Sequence, residues 1–338
     1  MLKPYLLKLL AGSDLSAQEM EKAFDILTSG QAAHSQIGAF LALMQRKKVT
    51  SIELVGAARM LRRAATFIDC GRREPVDVVG TGGDGANTFN ISTTSFFVAA
   101  GAGVVMAKHG NRSATSKCGA ADVLEKLGLN LEAPPEVVEN SIADIGAGFL
   151  FAAKMHPAIG RMRILRRELG IPTVFNLLGP LLNPAGAKYQ LLGVNAPDLT
   201  ELFAETLRDL GSRRAMVVHG MYDHLDEISC CGPTRVSELK DGQIRTYELL
   251  PEVMLGETYD SADLAGGDAE LNAKLLLDVV CGRDHGAKRA VVLANAGAVI
   301  YISGLAADMR EGVRRAAESI DSGAAKEKLD AVIEASRG

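Results

Sequence analysis

Cysteine is scarce in this sequence: five residues in 338, at Cys70, Cys118, Cys230, Cys231 and Cys281. Their number is odd, their spacing is irregular and no Cys-x-x-Cys pair occurs, which excludes a secreted disulfide framework. The adjacent Cys230 and Cys231 also make a poor zinc site. An excess of positive charge is missing too. Lys and Arg number 37 against 41 Asp and Glu, for a net charge of −4. That balance argues against a protein that coats nucleic acid. Uninterrupted apolar runs are likewise lacking. The longest, Ala290 to Ala307, is broken by Asn295, Gly297, Ser303 and Gly304, and reads as a buried core helix, not a membrane span. Lys3 and Lys8 interrupt the first apolar stretch, so it reads as a short amphipathic helix and not as a signal peptide. A cytoplasmic protein is expected. There is no Gly-x-Ser-x-Gly elbow, no His-Glu-x-x-His and no Walker loop. With 47% hydrophobic and 23% charged residues, the chain is too apolar for disorder.

The pattern that is present divides the chain. Ser16-x-x-Glu19 and Thr50-x-x-Glu53 match the capping box and precede apolar residues at helical spacing, with Gly30 and Gly71 as stops. Residues 1–70 therefore read as a small helical domain. From Val76 the texture changes to short β-branched runs alternating with helices. Strands are expected at Val76–Val79, Val104–Ala107, Phe149–Phe151, Gln190–Val194, Ala215–Val218 and Ile244–Leu249. Helices are expected at Ile91–Ala100, Ala120–Leu127, Leu199–Leu210 and Leu271–Val280, and a charged helix over Glu311–Ser336. This alternation predicts an α/β domain over 71–338 whose central sheet is mostly parallel and flanked by helices. Residues 157–189, with Pro157, Pro172, Pro180 and Pro184 around a basic helix, read as an insertion that joins the helical domain.

Four stretches could carry chemistry. Gly80-Thr81-Gly82-Gly83-Asp84-Gly85 follows a strand, and its glycines let backbone N–H groups close on an anion. A helix starting near Asn90 would add its N-terminal donors. A plain tight turn is the bland alternative. The next strand ends in Lys108-His109, not in the acidic residue a dinucleotide needs, so phosphate is favoured over a dinucleotide. Lys108 to Lys117 is the densest polar stretch and should lie where strands of an α/β sheet present ligands; alternatively it is a solvated basic loop. Lys154 to Arg167 holds five basic residues and no acid, with Arg163, Arg166 and Arg167 on one helical face. An Arg there could hold a carboxylate in two hydrogen bonds, or could simply face solvent. Asp226-Glu227 could hold a hard cation such as Mg²⁺, or favour a helix N-terminus.

Taken in order, Gly80-Thr81-Gly82-Gly83-Asp84, Thr88-Phe89-Asn90-Ile91-Ser92-Thr93, Lys108-His109-Gly110-Asn111-Arg112, Ala121 to Glu125, Thr173 to Pro184, Leu225 to Ser229 and Gly266 to Ala269 resemble the anthranilate phosphoribosyltransferase family. The resemblance implies transfer of the phosphoribosyl group of phosphoribosyl pyrophosphate to the amine of anthranilate, a step of tryptophan biosynthesis, with Mg²⁺ as cofactor and a homodimer as the assembly. By matching position, phosphoribosyl pyrophosphate would contact Gly80, Gly83, Asp84, Thr88, Asn90, Ile91, Ser92, Thr93, Lys108, His109, Gly110, Asn111, Arg112, Ser113, Ala114, Thr115, Ser116 and Ala120. Anthranilate would contact Gly80, Asn111 and Arg166, and the metal Ser92, Asp226 and Glu227. No side chain is expected to act as a chemical catalyst; positioning and electrostatics would suffice. The chain departs from the family's usual residues at Cys118, Ala120, Pro172 and His224, the last standing where glycine is usual. The competing readings are a pyrimidine nucleoside phosphorylase of the same fold and a non-catalytic relative that binds nucleic acid. Neither membrane nor nucleic acid is expected as a partner.

Overall fold

The chain begins with α1 (Lys3–Leu10), α2 (Ala17–Thr28), α3 (His34–Lys47) and α4 (Ser51–Arg63) in the computed structural model, which describes residues 1–113 and 117–338. Both capping boxes form. Ser16 Oγ accepts from Glu19 N while the Glu19 carboxylate accepts from Ser16 N, and Thr50 and Glu53 repeat the exchange. Glu53 does more than cap. Fully buried, it also accepts from Leu15 N at 2.9 Å and pairs with Lys47 at 2.9 Å, tying three helices together. Gly71 is not the stop that the sequence suggests, since α4 ends at Arg63. Beyond it the backbone is claimed by distant partners: Thr66 N donates to Met155 O, and Ile68 N to Pro184 O.

Seven strands follow: β1 (Val76–Gly80), β2 (Met106–Gly110), β3 (Ala147–Phe151), β4 (Tyr189–Gly193), β5 (Arg214–Gly220), β6 (Thr234–Lys240) and β7 (Gln243–Leu249). They lie in the order β3-β2-β1-β4-β5-β6-β7. The first five are parallel to their neighbours, and β6 and β7 add an antiparallel hairpin. Sequence reading misses β6, whose two apolar residues, Val236 and Leu239, stand among Thr234, Arg235, Ser237, Glu238 and Lys240. The signal was the turn Asp241-Gly242, both residues at positive φ, the Asp-Gly signature of a tight hairpin.

Two further expectations are corrected. The second strand runs over Met106–Gly110 and not Val104–Ala107, because Gly103 N and Val104 N still bond to carbonyls of α5 (Ile91–Gly101). Lys108, His109 and Gly110 therefore belong to the sheet, not to the loop after it. The charged C-terminal segment is two helices, Met309–Asp321 and Ala324–Ala335, separated at Gly323 with φ 84°. The break lets both pack on α5. A Cβ on Gly101 would lie 2.3 Å from Ser319 Oγ and 2.7 Å from Ala325 N.

The core has two main parts. On one face of the sheet, α5, buried on every side from Thr93 to Ala100, packs with the apolar helix Ala287–Ser303. On the other, Leu192, Val194 and Val217 meet the helical bundle. The 157–189 segment forms short helices at Pro157–Gly160, Arg163–Leu169 and Phe175–Leu178. It leans on the bundle: Met162, Leu165, Val174, Phe175 and Leu178 join its core, and the Phe175 ring lies 5.3 Å from that of Phe24. Among the described residues no helix is long and apolar enough to cross a membrane.

Candidate active site

The strand order reverses at β1. The chain fills β2 and β3 on one side and then returns to β4 and β5 on the other, which opens a crevice beyond the C-terminal ends of β1 and β4. Gly80 and Gly193 end these strands in register. Both are glycine for one steric reason. A Cβ on Gly80 would lie 2.2 Å from Asp226 Oδ2, and one on Gly193 only 1.5 Å from Asp226 O. The segment after β5 thus lies directly across the two strand ends. Gly82 N donates to Asp226 Oδ2 at 2.6 Å, and Asn195 Nδ2 to Gly82 O at 3.1 Å. Gly82, Gly83 and Gly85 take φ of 68°, 79° and 75°, conformations that turn successive backbone N–H groups to one side. Asp84 accepts from Ala86 N within this loop.

Asn90 sits at the start of α5, and its side chain reaches two other segments. It donates to Cys118 O at 3.2 Å and accepts from Asn272 Nδ2 at 2.9 Å. Asn272, at the start of the helix Ala269–Val280, is a positioning residue that the sequence reading missed. Thr88 bridges to Ala265, where Gly266 passes too close for a side chain: a Cβ there would lie 2.6 Å from Phe89 N. Ile91 is buried, and Thr93 Oγ1 is buried without a hydrogen-bond partner. Ser92 is the junction. Its N–H donates to Glu227 Oε1 at 3.1 Å, and its Oγ accepts from Lys108 Nζ at 3.2 Å.

Lys108 is 1% exposed and also donates to Val78 O at 2.6 Å. Burial pushes its pKa down, and the nearby Asp77, Glu227 and Asp226 push it back up. The lysine is therefore a fixed buried cation, not a mobile arm of a surface loop. His109 is buried as well. Its N–H donates to the buried Asp77, and its Nε2 lies 3.2 Å from Nε2 of His156. Gly110 closes the strand. Asn111 is exposed, and its carbonyl accepts from Ala121 N. Arg112 is turned away from the crevice: it binds Glu125 through two hydrogen bonds of 2.8 Å and Asp122 at 2.9 Å. Asp122 in turn accepts from Ser113 N and Gly119 N, which ties the loop to α6 (Ala120–Lys126). Ala120 is the half-buried first residue of that helix. Ala114, Thr115 and Ser116 lie outside the described residues.

The basic segment does not act as one face. Lys154 donates to Glu132 O and Ala133 O, and Arg163 and Arg167 are exposed. Of the segment's arginines Arg166 alone is half-buried, its guanidinium 5.3 Å from the Phe175 ring and 3.4 Å from Asn176 Oδ1. Burial lowers its pKa, yet an arginine remains charged.

Asp226 and Glu227 are half-buried side by side. Loss of hydration raises both pKa values, reinforced by Glu227 and Asp84 at Asp226 and by Asp84 at Glu227; Glu227 is pushed up to about 7. Carboxylates gathered in this way, with Lys108 as the cation that offsets them, form a hard-oxygen donor set short of positive charge. That set fits a divalent cation such as Mg²⁺, which takes one or two carboxylates and completes its shell with water and phosphate oxygens. The segment is held from behind by Asn295, the polar residue inside the apolar helix. Its side chain exchanges hydrogen bonds of 2.9 and 3.0 Å with the backbone of Ile228. On the near side, Asp223 accepts from Ser229 Oγ and braces the turn. His224 takes φ 60°, a left-handed conformation that costs histidine more than glycine.

A helical bundle thus stands beside an α/β sheet with an anion-type crevice at its switch point. Residues 3–65 match the helical bundle domain and residues 72–326 the a/b domain of the glycosyl transferase family, to which this chain belongs. Within it the chain belongs with the anthranilate phosphoribosyltransferases. It is 51% identical to that enzyme of Desulfosudis oleivorans over 327 residues, 97% of this chain and 96% of the other. Its fold matches the anthranilate phosphoribosyltransferase of Thermus thermophilus with a TM-score of 0.93 at 39% identity, covering 98% of this chain and 99% of that one. It also matches the Saccharomyces cerevisiae enzyme in complex with PRPP and Mg, with a TM-score of 0.91 at 30% identity over 99% and 98% of the two chains.

Proposed function

We infer that this protein transfers the phosphoribosyl group of phosphoribosyl pyrophosphate to the amine of anthranilate, giving N-(5-phosphoribosyl)anthranilate and pyrophosphate in tryptophan biosynthesis. The observation that carries the reading is the joining of three phosphate-type elements at one switch point. The glycine loop after β1, the N-terminus of α5 and the Asp226-Glu227 segment are linked there by bonds from Gly82 N and Ser92 N.

In this reading Asp226, Glu227 and Ser92 would hold Mg²⁺, which when bound would supply positive charge for the departing pyrophosphate. The protein's own residues do the rest. Backbone N–H groups of the glycine loop after β1 and of the first turn of α5, other than those of Thr81, Gly82, Ile91 and Ser92, which bond within the fold, hold phosphate oxygens with the Thr88 hydroxyl and fix the ribose. Lys108 places a desolvated positive charge beside Ser92. Its field is stronger there than in water, and it favours the leaving group's charge. The backbone of His109 to Ser113, with Ala120, forms the opposite wall, and the Arg112 side chain joins it only on leaving Glu125. Arg166 holds the anthranilate carboxylate, assisted by Asn111, with Gly80 beneath the ring. Because an aromatic amine is already neutral at pH 7, no strong general base is needed. Ribose develops oxocarbenium character as pyrophosphate leaves, so alignment of the two substrates supplies most of the acceleration.

The domain division 1–70 together with 157–189 against 71–338 belongs to the same proposal. The packing of Phe175 and Leu178 on the bundle supports it. A homodimer through the helical part would cover Leu7 and Leu10, which are 57% and 67% exposed on α1; light scattering would measure its mass. The few, irregularly spaced cysteines agree with a cytoplasmic location.

The reaction is tested by mixing the protein with Mg²⁺, phosphoribosyl pyrophosphate and anthranilate and following anthranilate fluorescence. The expected result is a Mg²⁺-dependent loss of signal with release of pyrophosphate. Phosphorolysis of thymidine with no consumption of anthranilate would overturn the reading.

A further inference from the structure

Cys230 and Cys231 have no part in the transfer, yet they follow Glu227 on the segment that carries both carboxylates. Their sulfurs lie 3.7 Å apart. Cys230 is buried, its Sγ 3.7 Å from Ala287 O, whereas Cys231 is half-buried and reaches solvent. The backbone around them is fixed. Cys231 N donates to Ser229 Oγ at 2.9 Å, and Tyr259 N to Cys230 O at 3.0 Å. A hydrogen bond between the thiols holds the Cys231 pKa below the ordinary range and raises that of Cys230, against the opposing carboxylate of Asp223 at Cys231. The thiolate is the reactive form, so Cys231 is the point of attack, with a second thiol waiting behind it.

The spacing decides what this pair can hold. A disulfide needs sulfurs about 2.05 Å apart and Cα atoms at least about 4.4 Å apart, but neighbouring Cα atoms are held at about 3.8 Å. Direct oxidation therefore meets strain. Two sulfurs bonded at about 2.3 Å to one centre lie about 3.3–3.8 Å apart as the bond angle runs from pyramidal, about 90°, to tetrahedral, a range that holds the separation found here. Among the described residues no third His, Cys, Asp or Glu joins them in a group that could hold a metal ion. A structural zinc ion, which takes four protein ligands, is poorly served. A trivalent arsenic atom that already carries one carbon substituent needs only two thiolates.

We propose that Cys230 and Cys231 form a capture site for monosubstituted trivalent arsenicals. In the reaction two As–S bonds replace the arsenic–oxygen double bond. The two thiol protons leave with that oxygen as one water, and arsenic stays trivalent. Capture would displace the tightly bonded 228–231 turn, which directly follows Glu227, so it should also depress transfer. That consequence rests on the metal role given above to Asp226 and Glu227; the capture itself does not.

The probe is phenylarsine oxide added to the reduced full-length protein. Expected are one adduct per chain by intact mass, a loss of two titratable thiols, and an adduct that maps to the peptide holding residues 230 and 231. Cys231→Ser and Cys230→Ser should each weaken capture about 100-fold, since the second bond becomes unavailable as an intramolecular step. A small dithiol should reverse the adduct where a monothiol does not. Loss of two thiols from the Cys230→Ser/Cys231→Ser variant, or an adduct on Cys70, Cys118 or Cys281, would overturn the proposal. If that double variant does not fold, the peptide map of the unaltered protein decides alone. Full capture with unchanged Mg²⁺-dependent transfer would overturn the coupling to the carboxylates and leave the capture site standing.

Discussion

At Gly193 a single hydrogen decides the geometry of the site. The Asp226 carbonyl occupies the place where a side chain would begin, and the strand end beneath has no room to yield, since Thr81 N bonds to Gly193 O. Gly193→Ala must therefore lift the Asp226-Glu227 segment. A displacement of about 1 Å at a positioning group can cost about 100-fold in rate. The expected outcome is a fall of that order in kcat/KM with the far-ultraviolet circular dichroism retained; full activity would count against the close packing. Arg166 makes a different prediction. Removing a charged hydrogen-bond partner of a carboxylate costs about 1.5–3 kcal/mol, so Arg166→Ala should raise the anthranilate KM by roughly 10- to 100-fold. The KM for phosphoribosyl pyrophosphate should barely change, and steady-state kinetics with each substrate varied in turn will separate the two. The glycine loop was legible in the sequence because its residue types are chemically unusual where they stand, whereas Arg166 was picked out from Arg163 and Arg167 only by the family resemblance. Gly193, Asn272 and Asn295 were not legible. Each acts on a residue far along the chain, and an isolated Gly or Asn carries no local mark of that.

Among the elements, β2 departs most from expectation. Val104 and Val105 look like strand, but α5 is capped by the backbone of Gly103 and Val104, and the strand starts two residues later. The shift turns Lys108 from a loop cation into a buried one. It also leaves Arg112 as the exposed cation of that turn, held by Asp122 and Glu125 on α6. If Arg112 serves the pyrophosphate, it must first leave Glu125. Exposed ion pairs are weak, so Glu125→Gln should lower the KM for phosphoribosyl pyrophosphate, by no more than about fivefold. A raised KM would show that the pairing with α6 is itself the binding-competent arrangement. Capping boxes and the apolar periodicity of α2 and α4 were readable because helix starts are set by residues three apart. The strand β6 was hidden because its polar residues outnumber its apolar ones, which leaves too short an apolar pattern to read.

For the whole molecule, the decisive feature is where the two parts meet. Thr66, Met155, Ile68 and Pro184 bond across the chain crossings, and beside them His109 and His156 stand 3.2 Å apart in the interior. Burial drives the His109 pKa down to about 3 and that of His156 to about 4, from 6.5. Both are bases whose folded values are depressed. The stability they contribute is complete above about pH 6.5 and is lost as pH falls toward 4, because the unfolded chain takes up protons first. His156 alone could account for at most about 3 kcal/mol. Urea unfolding of the unaltered protein should weaken over that window more than that of His156→Gln; parallel curves would refute the assignment. Asp77, raised to about 6 by burial, acts in the opposite direction but equally in both proteins. By itself the sequence determined the helical start, the parallel α/β body, the phosphate-type loops and the acidic pair, all of which are set by local pattern and residue chemistry. Only the tertiary structure decided that Lys108 is buried, that Arg112 faces α6, that Arg166 alone of the segment's arginines is half-buried, against Phe175, and that two glycines yield their Cβ space to Asp226. Those outcomes depend on which distant segments compete for the same volume and the same hydrogen-bonding groups, and that competition exists only once the chain has closed on itself.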